Sequence, residues 1–122
     1  MKIFFMAIVF VSTFAQAQFS TRPERYNCQY QSKEKVQLQI NLLPGHNYLL
    51  IKSASMNKAA MADILDFWDS SWAKVMTGYL PAPWAEGTSF RIRFEQGYNF
   101  QEILINNPDN TFFRTDMMCS NG

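Results

Sequence analysis

The amino-acid sequence predicts a single α+β domain, in which about six antiparallel strands in the order βββ-α-βββ pack on one amphipathic helix. Three observations predict this fold. Apolar and polar residues alternate in segments on both sides of the middle of the chain. A stripe of apolar residues with helical period covers residues 61–79. The chain also contains only two cysteines, Cys28 and Cys119, which tie its first strand to its last. The strands form an open sheet or a partly closed barrel with the helix at one side.

Three strands are expected before the helix. The side chains of residues 25–31 alternate, and those of residues 35–42 alternate most clearly of all. Pro44 and Gly45 are typical of a tight turn, because proline presets a negative φ and glycine supplies the positive φ that follows. The chain then returns as a third strand over residues 48–53.

The central segment predicts a helix over residues 58–77. At 100° per residue its apolar side chains fall within about 60° of one line. Asn57 is the expected N-cap and Gly78 the expected residue after the C-cap. Phe67 lies outside the stripe and has no place in this interpretation. The stripe consists of Met61, Ile64, Leu65, Trp68, Trp72, Val75, Met76 and Tyr79.

Three further strands are expected after the helix. Two prolines in the segment LPAPW, residues 80–84, exclude both a helix and a central strand, so a rigid loop is expected there. Alternation resumes over residues 88–95, continues less regularly over residues 99–106, and returns over residues 111–119 after the turn sequence NNPDN.

The beginning of the chain has the features of a secretory signal peptide. A basic start is followed by the apolar run IFFMAIVFV and by the small-x-small sequence Ala15-Gln16-Ala17. The run is shorter than the roughly 20 residues of a membrane-spanning helix. We therefore predict cleavage after residue 17, export to the periplasm or the medium, and a soluble domain over residues 18–122.

The two cysteines predict a disulfide, since an even number of cysteines in an exported chain is typical of one. The sequence has no Cys-x-x-Cys pair, and its single histidine cannot complete a zinc site of three or four ligands. Cys28 follows bulky polar residues, which argues against a lipid anchor. We therefore predict no metal, no cofactor and no membrane anchor.

The composition of the chain argues against two further classes of protein. The chain is 48% hydrophobic and only 17% charged, which excludes a disordered protein. Without Lys2 the basic and acidic residues balance at ten each, and no run of like charges occurs. A nucleic-acid partner is not expected, because such proteins present a basic face to phosphate.

The candidate partner-binding residues are an aromatic side chain and three arginines. Trp84 lies on the proline-rich loop, where an exposed aromatic residue is typical of recognition, although it could instead plug the end of the core. Arg91, Arg93 and Arg114 alternate on predicted strands. Together with Gln37, Gln39 and Asn41 they could form one polar sheet face, or simply a solvated surface.

Two other interpretations remain open. A cavity between helix and sheet, lined by Trp68 and Trp72, would suit a carrier of a small apolar ligand. Glu102 or an aspartate of the helix would suit a carboxylate-dependent hydrolase, although Ile103 and Ile105 are the residues expected to face the core, with Glu102 facing water. His46 follows a turn and has no catalytic signature beside it.

The sequence therefore favours a non-enzymatic function. We expect a small exported binding protein, of the adaptor or inhibitor type, that engages a protein or a glycan of the cell envelope through the Trp84 loop or the polar sheet face.

Overall fold

The computed structural model describes residues 23–95 and 100–121 of the chain, and they form only β-structure. The α+β prediction is therefore wrong, whereas the antiparallel sheet is confirmed. The predicted signal peptide lies outside the described residues. Among the described residues, no helix has the length and apolar character that crossing a bilayer requires. The strands are β1 (Glu24–Gln31), β2 (Lys35–Leu43), β3 (His46–Ser53), β4 (Ala60–Asp69), β5 (Ala73–Tyr79), β6 (Ser89–Glu95), β7 (Phe100–Asn106), β8 (Phe112–Asp116) and β9 (Met118–Asn121).

The strands form one antiparallel sheet in which β1 to β8 follow each other in chain order. The last part of the chain changes neighbour at Met117. The segment before it, β8, pairs with β7, and the segment after it, β9, crosses over to pair with β1. This change of partner brings the two ends of the sheet together, so that the sheet is a nearly closed barrel.

Inward side chains fill the barrel, as expected for about eight strands. Tight packing of branched and aromatic residues leaves the middle of the interior without solvent exposure. The side chains that are most completely buried include Ile40, Leu42, Leu49, Ile51, Met76, Phe90, Ile92 and Ile103. The alternation predicted for strands β2, β6 and β7 is confirmed by this pattern.

A β-hairpin replaces the predicted helix. The residues assigned to that helix belong to β4 and β5, which are joined by a short turn at Ser70. A β-bulge between Ile64 and Asp66 inserts Leu65 as an extra residue. The bulge reverses the inward-outward alternation along β4, so that Phe67 faces the core and is only 7% exposed. A strand with such a shift has no unbroken period of two, and its apolar residues fit a helical period by coincidence.

Most of the predicted helical stripe is in fact exposed. Trp68 and Trp72 are 64% and 62% exposed, respectively, and Met61, Leu65 and Tyr79 are exposed as well. These residues lie on the outside of the barrel, where none of the described residues forms a second layer over them. Because the described residues form no helix, the predicted cavity between helix and sheet does not form there, and Trp68 and Trp72 lie on the outer surface instead.

Gly78 lies within β5 instead of ending a helix. It pairs with Ile64 on one side and with Phe90 on the other. A Cβ atom at this position would come within 2.4 Å of the Asp63 carbonyl oxygen and 2.9 Å of the Phe90 ring. Only glycine leaves room here for the ring of Phe90, which packs over the backbone.

The disulfide between Cys28 and Cys119 is confirmed. The two cysteines are direct cross-strand partners of β1 and β9, and their Cα atoms are 4.0 Å apart. The bond therefore fastens the last strand to the first at the point where the barrel closes.

A buried ion pair occupies one end of the barrel. Lys74 Nζ lies 2.6 Å from Glu24 Oε1, and the Tyr26 hydroxyl donates to the same oxygen at 2.7 Å. Burial by itself lowers the pKa of Lys74, but the hydrogen bonds to Glu24 and Tyr26 and their charges outweigh it, so the pKa is raised. The edge of the Tyr26 ring packs on Phe94 with ring centroids 5.0 Å apart. We call this the Lys74 end.

Candidate binding site

An open cleft of about 980 Å³ lies at the end of the barrel opposite Lys74. It is bounded by the turn after β1, by the start of β8 and by the loop between β5 and β6. We call it the Trp84 cleft. Its volume lies within the range typical of ligand and recognition sites. The apolar wall of the cleft consists of Tyr30, Val36, Trp84, Ile105 and Phe113.

The loop between β5 and β6 places Trp84 over this end of the core. The Trp84 amide donates to the Pro81 carbonyl at 3.0 Å, and the Ala82–Pro83 peptide bond is cis. The loop is closed by the Leu80 amide, which donates to the Thr88 carbonyl at 2.8 Å. Trp84 is half-buried and packs against the core cluster. Trp84 therefore packs on the end of the core and also lines the cleft.

Phe113 lies on β8, at one end of the sheet order, and Tyr30 lies on β1, the second strand from the other end. Their ring centroids are 5.9 Å apart, with the planes tilted by 40°. Tyr30 is only 6% exposed, and burial raises the pKa of its hydroxyl to about 12. Among the described residues this hydroxyl has no hydrogen-bond partner.

Polar side chains form the rim of the cleft. The Ser55 hydroxyl donates to Glu34 Oε1 at 2.7 Å, and the Ser53 and Ser55 hydroxyls lie 3.4 Å apart. Hydrogen bonds from Ser55 and Ser53 lower the pKa of the Glu34 carboxyl. Lys33 is exposed on the same rim. The cleft thus combines an apolar wall with a charged edge, as recognition sites commonly do.

The three predicted arginines lie on the outer face of β6 and β8, the two strands that flank β7. Arg93 Nη2 is 3.0 Å from Glu95 Oε1, and Arg114 Nε is 3.0 Å from Glu102 Oε1. Arg91 forms no ion pair with any described residue. Its strand neighbours are Thr77 and Leu104, and an open groove passes beside it.

The amide side chains that were expected to share a face with these arginines do not. Gln37, Gln39 and Asn41 lie on β2, and in the order of the sheet three strands separate β2 from β6. They line a different shallow concavity of about 640 Å³ on the outside of β1, β2 and β9, or lie beside it. Asn41 is buried there and accepts a hydrogen bond from Arg25 Nε at 2.9 Å. The polar face is therefore two separate surfaces.

The alternative catalytic residues occupy ordinary positions. Ile103 and Ile105 are buried, as expected, while Glu102 lies on the outer face in its ion pair with Arg114. His46 is exposed, with Nε2 2.9 Å from Asp63 Oδ1 and its ring stacked on Tyr48 at 4.9 Å. No group of three His, Cys, Asp or Glu side chains within residues 23–95 and 100–121 could hold a metal ion.

Sequence reasoning placed Trp84 on an irregular loop but did not predict that Tyr30 and Phe113 line the same cleft. Both were correctly assigned to the faces of Cys28 and Cys119, respectively. The disulfide was the signal that could have joined those faces, because it requires the first and last strands to be adjacent.

Comparison of the chain with protein-family models, with curated proteins and with solved structures finds no match.

Proposed function

We propose that this protein is a small exported binding protein that engages a protein partner at the Trp84 cleft. The observation that carries the proposal is the cleft itself. It is the largest concavity described above, it is open, and it sets Trp84 beside Tyr30 and Phe113 with polar groups at the rim. Aromatic side chains at the centre of a polar rim are typical of protein recognition.

The filled barrel argues against a carrier that encloses its ligand. Side chains without solvent exposure occupy the middle of the barrel, so an apolar molecule has no interior site there. The cleft is wide and lies at the surface, which suits part of a macromolecule better than an enclosed small molecule.

The proposal is tested by site-specific photo-cross-linking in the native exported fraction. A photoreactive phenylalanine analogue replaces Trp84 in one variant and Trp72, in the turn that precedes β5, in the matched control. We expect one partner to be cross-linked from position 84 and not from position 72. Equal labelling from both positions, or none from position 84, would contradict the assignment of the cleft.

The outer face of β6 to β8 is a second candidate surface. Arg91 has no ion pair among the described residues, and the exposed residues Tyr79 and Phe112 lie on β5 and β8, respectively. Arginine and aromatic residues are enriched in protein interfaces. If this face binds the partner or an acidic envelope glycan, Arg91→Ala abolishes capture and Trp84→Ala leaves it unchanged.

A further inference from the structure

A seam in the barrel adjoins the Trp84 cleft. β1 and β9 pair only as far as Gln29 and Met118. On the N-terminal side of Met118 the chain no longer pairs with β1, and β8 pairs with β7 alone. No strand within residues 23–95 and 100–121 pairs with the other edge of β8. The seam is therefore closed at Met117 and opens toward the cleft.

The backbone groups that face the seam follow from the ladder between β7 and β8. The Met117 amide donates to the Gln101 carbonyl at 2.9 Å, and the Asn107 amide donates to the Thr111 carbonyl at 2.8 Å. In an antiparallel pair every second residue bonds to the partner strand and the residues between point away. The amides and carbonyls that point into the seam are therefore those of Phe112, Arg114 and Asp116.

The opposite wall of the seam, at the end of β1, also presents backbone groups to the seam. The Ala54 amide donates to the Lys35 carbonyl at 3.0 Å, so the odd-numbered residues of β2 bond to β3. The even-numbered residues of β2 consequently bond to Tyr30 and to the other even-numbered residues of β1. The backbone of Gln31 then points away from β2 and into the seam.

The inward side of the seam is apolar. Tyr30 and Phe113 meet across it, and Trp84 covers its open end. The Tyr30 side chain is only 6% exposed on this side of the seam.

We propose that the seam accepts an extended peptide segment of the protein partner, which adds as a strand along β8 and places an apolar side chain beside Trp84. The inference rests on the proposed function, because it specifies how the partner is held. A row of unpaired amides and carbonyls is best satisfied by another extended backbone. β8 has five residues, so the added strand spans about 16 Å.

A second copy of this chain fits the edge less well. Symmetric antiparallel pairing of two β8 strands about their central residue sets Arg114 opposite its own copy. Like charges that are directly opposite each other in a sheet are destabilising. A heterologous segment has no such restriction.

The test uses a display library of random nine-residue peptides, selected on the oxidised wild-type domain. Peptides that bind are compared on Arg114→Pro and Arg114→Ala. Both substitutions remove the ion pair with Glu102, but only proline removes the amide that faces the seam, and the ladder to β7 does not use that amide. We expect alternating apolar residues in the enriched peptides, unchanged affinity for Arg114→Ala, and an affinity at least about tenfold weaker for Arg114→Pro.

Amide hydrogen exchange locates the bound peptide. Binding should slow exchange at Phe112, Arg114 and Asp116 and leave Phe113 and Thr115 unchanged. If Arg114→Pro fails to fold, the same peptide with N-methylated alternate residues takes its place, since the methyl groups remove donors without changing the protein. Absence of enriched peptides, equal binding to both variants, loss of binding in both, or no change at these three amides overturns strand addition.

Failure of this inference is distinguishable from failure of the proposed function. If cross-linking from position 84 is the same in Arg114→Pro and Arg114→Ala, the partner binds at the cleft without adding a strand. If no partner is cross-linked from position 84, the proposed function fails regardless of the peptide result.

Discussion

Gly78 gives the sharpest test of the hairpin that replaces the predicted helix. In Gly78→Ala the new methyl group would lie 2.4 Å from the Asp63 carbonyl oxygen, whereas Cβ atoms in proteins essentially never approach another heavy atom within 3.0 Å. β4 and β5 would therefore have to separate by about 0.6 Å at this point. The Phe90 ring, 2.9 Å away and buried, blocks movement toward β6.

The magnitude follows from these contacts. Overpacking in a filled core costs about 1–3 kcal/mol, and separating two strands by this distance weakens the adjacent ladder hydrogen bonds, each of which contributes about 1 kcal/mol. We expect a loss of about 3 kcal/mol in the free energy of unfolding. In a domain of this size that loss lowers the melting temperature by about 12–24 °C.

The assay is urea and thermal unfolding followed by circular dichroism. Gly45→Ala is the matched control, because Gly45 has a φ of +85° but open space around it. Its expected loss is only the backbone cost of about 1 kcal/mol. A helix with Gly78 after its C-cap would predict a similar small loss at both positions. If Gly78→Ala costs no more than Gly45→Ala, the packing of Phe90 against Gly78 is wrong.

Three further outcomes are expected. Replacing both cysteines by serine should lower the free energy of unfolding in urea by up to about 4–5 kcal/mol, because the bond joins residues 91 apart; a loss below about 1 kcal/mol would contradict this. Lys74→Met should destabilise by about 1–3 kcal/mol because it leaves the Glu24 carboxylate half-buried without its cation, and adding Glu24→Gln should recover most of the loss in the same assay. In an alkaline absorbance titration Tyr30 should ionise near pH 12. Since its folded pKa exceeds its unfolded value of about 10, its contribution to stability is complete below pH 10 and falls as the pH rises toward 12, and Tyr30→Phe should remove both effects.

Most strands could be predicted from the sequence because each carries one unbroken alternation. β2 and β6 are the clearest cases, and their inward residues are buried as expected. β4 could not be predicted in this way, because the extra residue Leu65 shifts the alternation in its middle. The one side chain that the helix left unexplained, Phe67, is the residue that the bulge turns into the core. A single unexplained aromatic residue within a regular pattern was thus the signal of the error.

The site was predictable in its parts but not in its assembly. The prolines around Trp84 correctly indicated an irregular loop, and alternation correctly placed Tyr30 and Phe113 on their faces. Whether two distant strands become neighbours depends on how the sheet closes, and local periodicity carries no information about closure. The arginines show the same limit, because Arg91 and Gln37 have equivalent alternation patterns but lie on separate parts of the barrel.

The change of strand partner at Met117 connects the closure of the barrel with the candidate site. If the last strand paired with both neighbours along its whole length, the barrel would close and no edge would remain. Because β8 pairs only with β7 and β9 pairs only with β1, each of these two strands has one edge without a partner strand among the described residues. The unpaired edge next to the cleft is that of β8. The disulfide fastens β9 to β1 on the other side of Met117, within two residues of this point. It thereby fastens β1 to β9 next to the closed end of the seam.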